Sequence, residues 1–239
     1  MATYIFGEGP TGDQSGNHKN TFLGASLREF SFATNTSMGA GRLGTGDEQV
    51  PLLRFDYSSL MGETASSAIL RLTNKSSTSG ADLVKVHRLL TPYGVDDTDG
   101  GVTENPATGL QATFDNAKDA NGGVGEVGWA AGLDAGFGAG DWDATEIASD
   151  NIALGEAIGI THDFDITTFE NLVLAGSLID NGIVIRQPGA WNWQIASQTH
   201  ATPEYRPMLT VVTSGGGGAT ATRIQRKSGF RALHVGNRI

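Results

Sequence analysis

Two strand-length runs joined by a short polar link occupy residues 50–73, VPLLRFDYSSLMGETASSAILRLT, and they constrain the rest of the chain. In the second run, Ala65 to Leu72, Ala68, Leu70 and Leu72 share one face while Ile69, Arg71 and Thr73 share the other. That period of two is the mark of a half-buried strand. In the first run, Val50 to Asp56, Leu53 and Phe55 point into a core. Arg54 and Asp56 fall on one face two residues apart, a spacing that lets them pair across a sheet surface. A chain organised on such a pair is an all-β protein.

The remaining text supplies partners for that pair. Thr3-Tyr4-Ile5-Phe6 reads as a first strand, followed by a polar loop punctuated by Gly7, Gly9, Gly12 and Gly16. Glu29 to Ala33 reads as a second short strand, and Met38 to Gly46 is again broken up by glycine. Ala81 to Leu90 is a further strand that Pro92-Tyr93-Gly94 ends. Residues 94–150 are long, acidic and glycine-rich with little periodicity; Val127-Gly128-Trp129 and Gly140-Asp141-Trp142 are short apolar pieces suited to docking on the body. Ile158 to Asp165 reads as a strand. Ile166 to Ala175 reads as a short helix with Asp165 or Thr167 at its start and Phe169, Leu172 and Val173 inward. Asn181-Gly182 marks a turn before Ile183-Val184-Ile185; Trp191 to Ala196 and Pro207 to Val212 complete the strands. Ser214-Gly215-Gly216-Gly217-Gly218 has the composition of a flexible joint. The expected organisation is a sandwich over residues 1–213, a joint at 214–218 and a C-terminal arm at 219–239.

Five stretches carry a resemblance. PLLRFDYSSLMGETASSAILRLT, VKVHRLL, DFDITTFENLVLAG, NGIVIRQ and EYRPMLTVV together resemble the DNRLRE domain family, with corresponding text over residues 3 to 213. Such modules are built on an LLRFD-type strand, a SATLRL-type strand, a D-V-T helix and a closing RP-x-L-x-V strand. The resemblance implies a jelly-roll β-sandwich with one short helix, and it favours carbohydrate binding as an activity. To that fold this chain adds an extended C-terminal arm and a long Gly/Asp-rich loop insertion, whose acidic, glycine-rich 115–157 stretch departs from the family. Tyr93 and Phe114 depart from it, standing where a tryptophan-rich loop is common in the family.

Several classes of chemistry are excluded by what the chain lacks. It contains no cysteine, which removes a disulfide scaffold, a thiolate metal site and cysteine catalysis. There is no P-loop, nucleophile elbow or dinucleotide fingerprint, and no two of the five histidines stand at a metal-ligand spacing. Of His162-Asp163-Phe164-Asp165, the last residue is better explained as a helix cap than as part of a site. The reading is therefore a protein without catalytic residues and without a resident cofactor. Calcium, which takes carboxylate and carbonyl oxygens, is the one metal to weigh, at Asp96-Asp97-Thr98-Asp99-Gly100 and at Asp141-Trp142-Asp143. Neither cluster fits an EF-hand, and a solvated turn is the default for both. Aromatic rings stack on sugars, so Tyr93, Trp129, Trp142, Trp191 and Trp193 are the glycan candidates; Trp191 and Trp193, two apart, suit either a sugar platform or the core, and the core reading is favoured.

Charge divides the chain in two. The formal net charge is −10, but residues 219–239 hold Arg223, Arg226, Lys227, Arg231 and Arg238 and no acid. Residues 1–218 therefore carry 11 basic and 26 acidic side chains, a net of −15. An acidic body repels phosphate, which argues against nucleic acid as a partner. No apolar run approaches the ~18 residues of a membrane span, and the first residues lack the basic and apolar regions of a signal peptide. The expectation is a soluble chain made without export.

The arm mixes its cations with Ile224, Phe230, Leu233, Val235 and Ile239. A detached peptide of this kind orders against a partner, burying its apolar residues while its arginines meet carboxylates. These features predict a structural protein of a virus particle, a phage capsid decoration or cement protein. It would contact the major capsid protein or other virion subunits, or further copies of itself, through Arg223, Arg226, Lys227, Phe230, Arg231 and Leu233. A carbohydrate-binding module acting through Trp191 and Trp193 is the alternative, and a polysaccharide-degrading enzyme the third reading.

Overall fold

The structure, a computed structural model, describes residues 1–7, 18–25, 36–42, 48–56, 58–76, 78, 80–93, 112, 114, 116–118, 127–132, 136–189 and 191–214. The expected strand at Glu29 to Ala33, most of the 94–126 stretch and the whole of the 219–239 arm lie outside those residues. The strands are β1 (Ala2–Phe6), β2 (His18–Gly24), β3 (Ser37–Arg42), β4 (Glu48–Phe55), β5 (Ala65–Thr73), β6 (Asp82–Leu89), β7 (Asn116–Lys118), β8 (Val127–Gly128), β9 (Trp142–Ile152), β10 (Thr161–Asp165), β11 (Ile183–Arg186), β12 (Asn192–Ala196) and β13 (Met208–Thr213). Helix α1 spans Thr167–Leu174. The protein is an all-β sandwich.

One sheet runs β1-β13-β5-β10 and the other β12-β3-β4-β11-β6-β9, with β2 added along β4; β7 and β8 form a separate ribbon. Every registered pairing is antiparallel. The two strands at the centre of the sequence argument belong to different sheets. Leu53 and Phe55 of β4 therefore face Ala68, Leu70 and Leu72 of β5 across one inner core, with Val84, Phe164, Ile185 and Trp193. Each large side chain sealed there contributes roughly 1.5–3 kcal/mol of hydrophobic stabilisation.

The larger sheet is buried on its second face as well. Val50 and Leu52 of β4, Leu89 of β6 and Val184 of β11 form an outer cluster with Leu23, Tyr93, Ala112, Ala117, Trp129 and Phe137. The acidic, glycine-rich segment thus supplies a cover for that face, and Trp129 docks as its sequence suggested. Burial on both faces explains why VPLLRF reads as a near-continuous apolar run. Register shifts at Val86/His87 and His87/Leu89 accompany the change of cluster along β6, from Val84 and Val86 inside to Leu89 outside.

Four expectations are corrected. Trp142–Ile152 is an eleven-residue strand within the stretch expected to be loop. Arg54 does not pair with Asp56: its guanidinium lies 3.9 Å from Asp180, while Asp56 accepts the Ser58 N–H at 3.0 Å. Thr73, expected on the outer face of β5, is buried. Leu172 faces solvent, whereas Phe169 and Val173 turn inward. The Asp165 carboxylate does meet the start of α1, accepting the Thr167 N–H and hydroxyl at 3.0 and 2.6 Å. Thr167 Oγ1 in turn accepts the Ala68 N–H, and the Asn171 amide bonds both backbone groups of Ala65, so the helix is pinned to β5.

Candidate functional site

A connected polar cluster closes one side of the sandwich, where the edge strands β9 and β10 come together. His162 projects inward from β10 and is buried among them. Its Nδ1 lies 2.9 Å from Asp150 Oδ2 of β9, and its Nε2 lies 2.8 Å from Glu156 Oε2 in the turn between the strands. Each imidazole nitrogen therefore faces one carboxylate. The ring also stands edge-on to Trp193, 5.3 Å between centroids, and Trp193 Nε1 donates to Asn74 Oδ1. Asn74 Nδ2 completes the chain by donating to Glu156 Oε2 at 3.1 Å.

This cluster fixes the 153–160 turn. Glu156 Oε1 accepts the Ala153 N–H at 2.6 Å, and Thr78 Oγ1 accepts the Glu156 N–H at 2.9 Å. The Thr78 hydroxyl donates to the Ala153 carbonyl, and Gly159 N–H to the Asn74 carbonyl. Burial pushes the Glu156 carboxyl upward, but the bonds from Ala153, Asn74 and His162 outweigh it and hold the group below the usual carboxylate range. With both imidazole nitrogens engaged, the arrangement acts as a clamp between two sheet edges. Its outward side carries Leu154, Ile158 and Ile160, which are 69%, 60% and 44% exposed.

Beside it, Arg71 of β5 and Asp163 of β10 sit opposite each other and form a two-pronged pair, Nε–Oδ1 and Nη2–Oδ2 both at 2.7 Å. The pair holds the Asp163 carboxyl down and the Arg71 guanidinium up.

The residues singled out from sequence fall in several places. Trp193 is wholly buried in the inner core, and Trp191 packs against the margin of the same cluster with the Gly80 backbone at its ring. Trp129 and Tyr93 are sealed in the outer cluster, where burial raises the Tyr93 phenol far above its ordinary value. A sealed ring offers no face to a sugar. Trp142 is half-buried, with the Arg186 guanidinium over its ring at 4.8 Å and His87 edge-on at 4.6 Å. His87 is buried beside the Asp143 and Thr145 carbonyls, and burial lowers its basicity.

The carboxylates weighed for calcium have other work where they can be seen. Asp141 is almost fully buried and accepts bonds from Thr91 Oγ1 at 3.0 Å, Ala130 N at 2.6 Å and Gly138 N at 2.8 Å. It rivets the outer cover to the end of β6. Asp143 Oδ1 accepts the Thr145 N–H at 2.9 Å. Asp96, Asp97 and Asp99 lie outside the described residues, as do Arg223, Arg226, Lys227, Phe230, Arg231 and Leu233. Among the described residues no three His, Asp or Glu side chains are grouped to hold a metal.

Sequence reasoning passed over Asn74, Thr78, Asp150 and Glu156 because each meets His162, or another member of the cluster, only through the fold. The one local signal was the aliphatic content of Leu154-Gly155-Glu156-Ala157-Ile158-Gly159-Ile160, too many large apolar residues for an ordinary solvated turn. A scan against protein-family models and a search of curated proteins returned no match to this chain.

Proposed function

We propose that this chain is a structural protein of a virus particle, a phage capsid decoration protein that ties neighbouring subunits together without catalysis. The observation that carries this reading is the division of charge and apolar residues between body and arm. Residues 1–218 carry −15, while residues 219–239 carry +5 together with Ile224, Phe230, Leu233, Val235 and Ile239. Ordering a peptide costs about 1–2 kcal/mol per residue in backbone entropy. Its five apolar side chains contribute against that cost, roughly 1.5–3 kcal/mol each, only when a second surface buries them. The arm therefore calls for a partner, and an acidic surface is the one its arginines fit.

The body supports the same reading. Its last described backbone bond, Ser214 N–H to the Thr64 carbonyl at 3.0 Å, joins the closing strand to the start of β5 immediately before the glycine joint. The sandwich is thus anchored up to the point where the arm departs. In this reading the body is a jelly roll of the DNRLRE type, and Arg223, Arg226, Lys227, Phe230, Arg231 and Leu233 carry the contact to capsid or sister subunits. The buried positions of Trp129, Trp193 and Tyr93 give the glycan-binding reading less to work with.

The test is immunogold labelling of particles purified from cells that produce this chain, using antibodies raised against the sandwich. Regular label on intact capsids is the expected result. Label confined to the particle-free fraction would contradict the proposal.

A further inference from the structure

The sandwich itself presents a surface matched to the arm. The 153–160 turn holds Leu154, Ile158 and Ile160 in solvent, and it is not a loose loop: Thr78, Asn74 and Glu156 fix its backbone at both ends. A rigid turn that spends three aliphatic side chains on water is preorganised to bury them against something else. Along its flank runs β9, whose ladder among the described residues is with β6 alone, leaving the other row of backbone groups on a sheet edge.

Charge selects the occupant. Glu146 and Asp150 of β9, Glu156 of the turn, and Asp163 and Asp165 of β10 place five carboxylates on this side. Glu146 pairs with Lys85, Asp163 with Arg71, and Asp150 and Glu156 with His162, so the side stays net acidic with those pairs formed. A cationic ligand with aliphatic or aromatic anchors, able to lie extended along a strand, therefore fits this edge. Residues 219–239 have that composition, with Arg223, Arg226 and Lys227 preceding Phe230 and Leu233.

We infer that the 153–160 turn and the β9 edge form the seat for the 219–239 arm of a second copy of this chain. The inference rests on the reading of those residues as an assembly arm. Apolar anchors of the arm cover Leu154, Ile158 and Ile160, its cations meet the carboxylates of β9 and β10, and its backbone adds to the β9 edge.

The experiment uses the full chain with a photocrosslinking phenylalanine analogue at Phe230, mixing unlabelled and 15N-labelled copies. Mass spectrometry of the irradiated mixture should find crosslinks between residue 230 of one copy and residues 142–160 of another. In parallel, Leu154→Asp with Ile158→Asp should weaken self-association in sedimentation at least about tenfold. Ile179→Asp changes an equally exposed aliphatic that follows α1 in the chain, and should leave association unchanged. Crosslinks within one copy, or to any other surface, overturn the seat while leaving an arm-dependent oligomer standing. A full-length chain that never associates overturns both the seat and the arm reading beneath it.

Discussion

Asp141 shows how much one side chain can hold in this molecule. Its carboxylate is almost fully buried and takes three donors, from Thr91, Ala130 and Gly138, that belong to separate stretches of chain. Asp141→Ala should therefore cost about 3 kcal/mol, with Asp141→Asn nearer half of that, read from urea unfolding midpoints. Local spacing marks Asp141 as a cation candidate, but its true partners lie up to fifty positions away and leave no trace in the text. The same holds for the His162 cluster. Two carboxylates there titrate with a definite sign: Glu156 in the cluster and Asp163 beside it are held below their ordinary values in the fold. Their contribution is present above the unfolded carboxylate range of about pH 4, and it is lost as pH falls through the lower folded values. Thermal midpoints should drop on acidification below about pH 4, and Glu156→Gln should be less stable at neutral pH but lose less on acidification. A flat midpoint for the native chain from neutral pH to pH 2 would contradict this account.

Elements were legible in proportion to how one-sided their burial is. β5 alternates between core and surface over most of its length, so Ala68, Leu70 and Leu72 announce it; Thr73, buried at its end, does not. β9 was missed for a physical reason. It is a sheet-edge strand, half exposed along most of its length, and register shifts against β6 interrupt its pairing, so WDATEIASDNI carries no clean alternation. The outer cover was legible only as apolar fragments, because its fold depends on docking rather than on its own periodicity. Asn181-Gly182 leads directly into β11, and the geometry explains the glycine. Gly182 has φ +97°, and a Cβ there would sit 2.6 Å from the Leu53 carbonyl oxygen. Gly182→Ala should destabilise the sandwich by about 2–3 kcal/mol, through left-handed strain and displacement of β4, measured by calorimetry against Gly62→Ala, where a Cβ meets open space.

At the scale of the whole molecule, an acidic sandwich is followed in sequence by four consecutive glycines and a basic, apolar stretch at 219–239. The sandwich was legible in outline because two apolar strands from different sheets lie close together in the chain. Its covered outer face and the clamped 153–160 turn were not, since both arise from contacts between distant segments. We propose that residues 219–239 join subunits while residues 1–213 fold without them. Sedimentation of the full chain beside a chain ending at Ser214, with the midpoint of thermal unfolding recorded for each, tests it most directly. The predicted result is a defined oligomer for the full chain and a monomer of unchanged thermal midpoint for the shortened one. Identical sedimentation of the two, or a shortened chain that no longer folds, would contradict it.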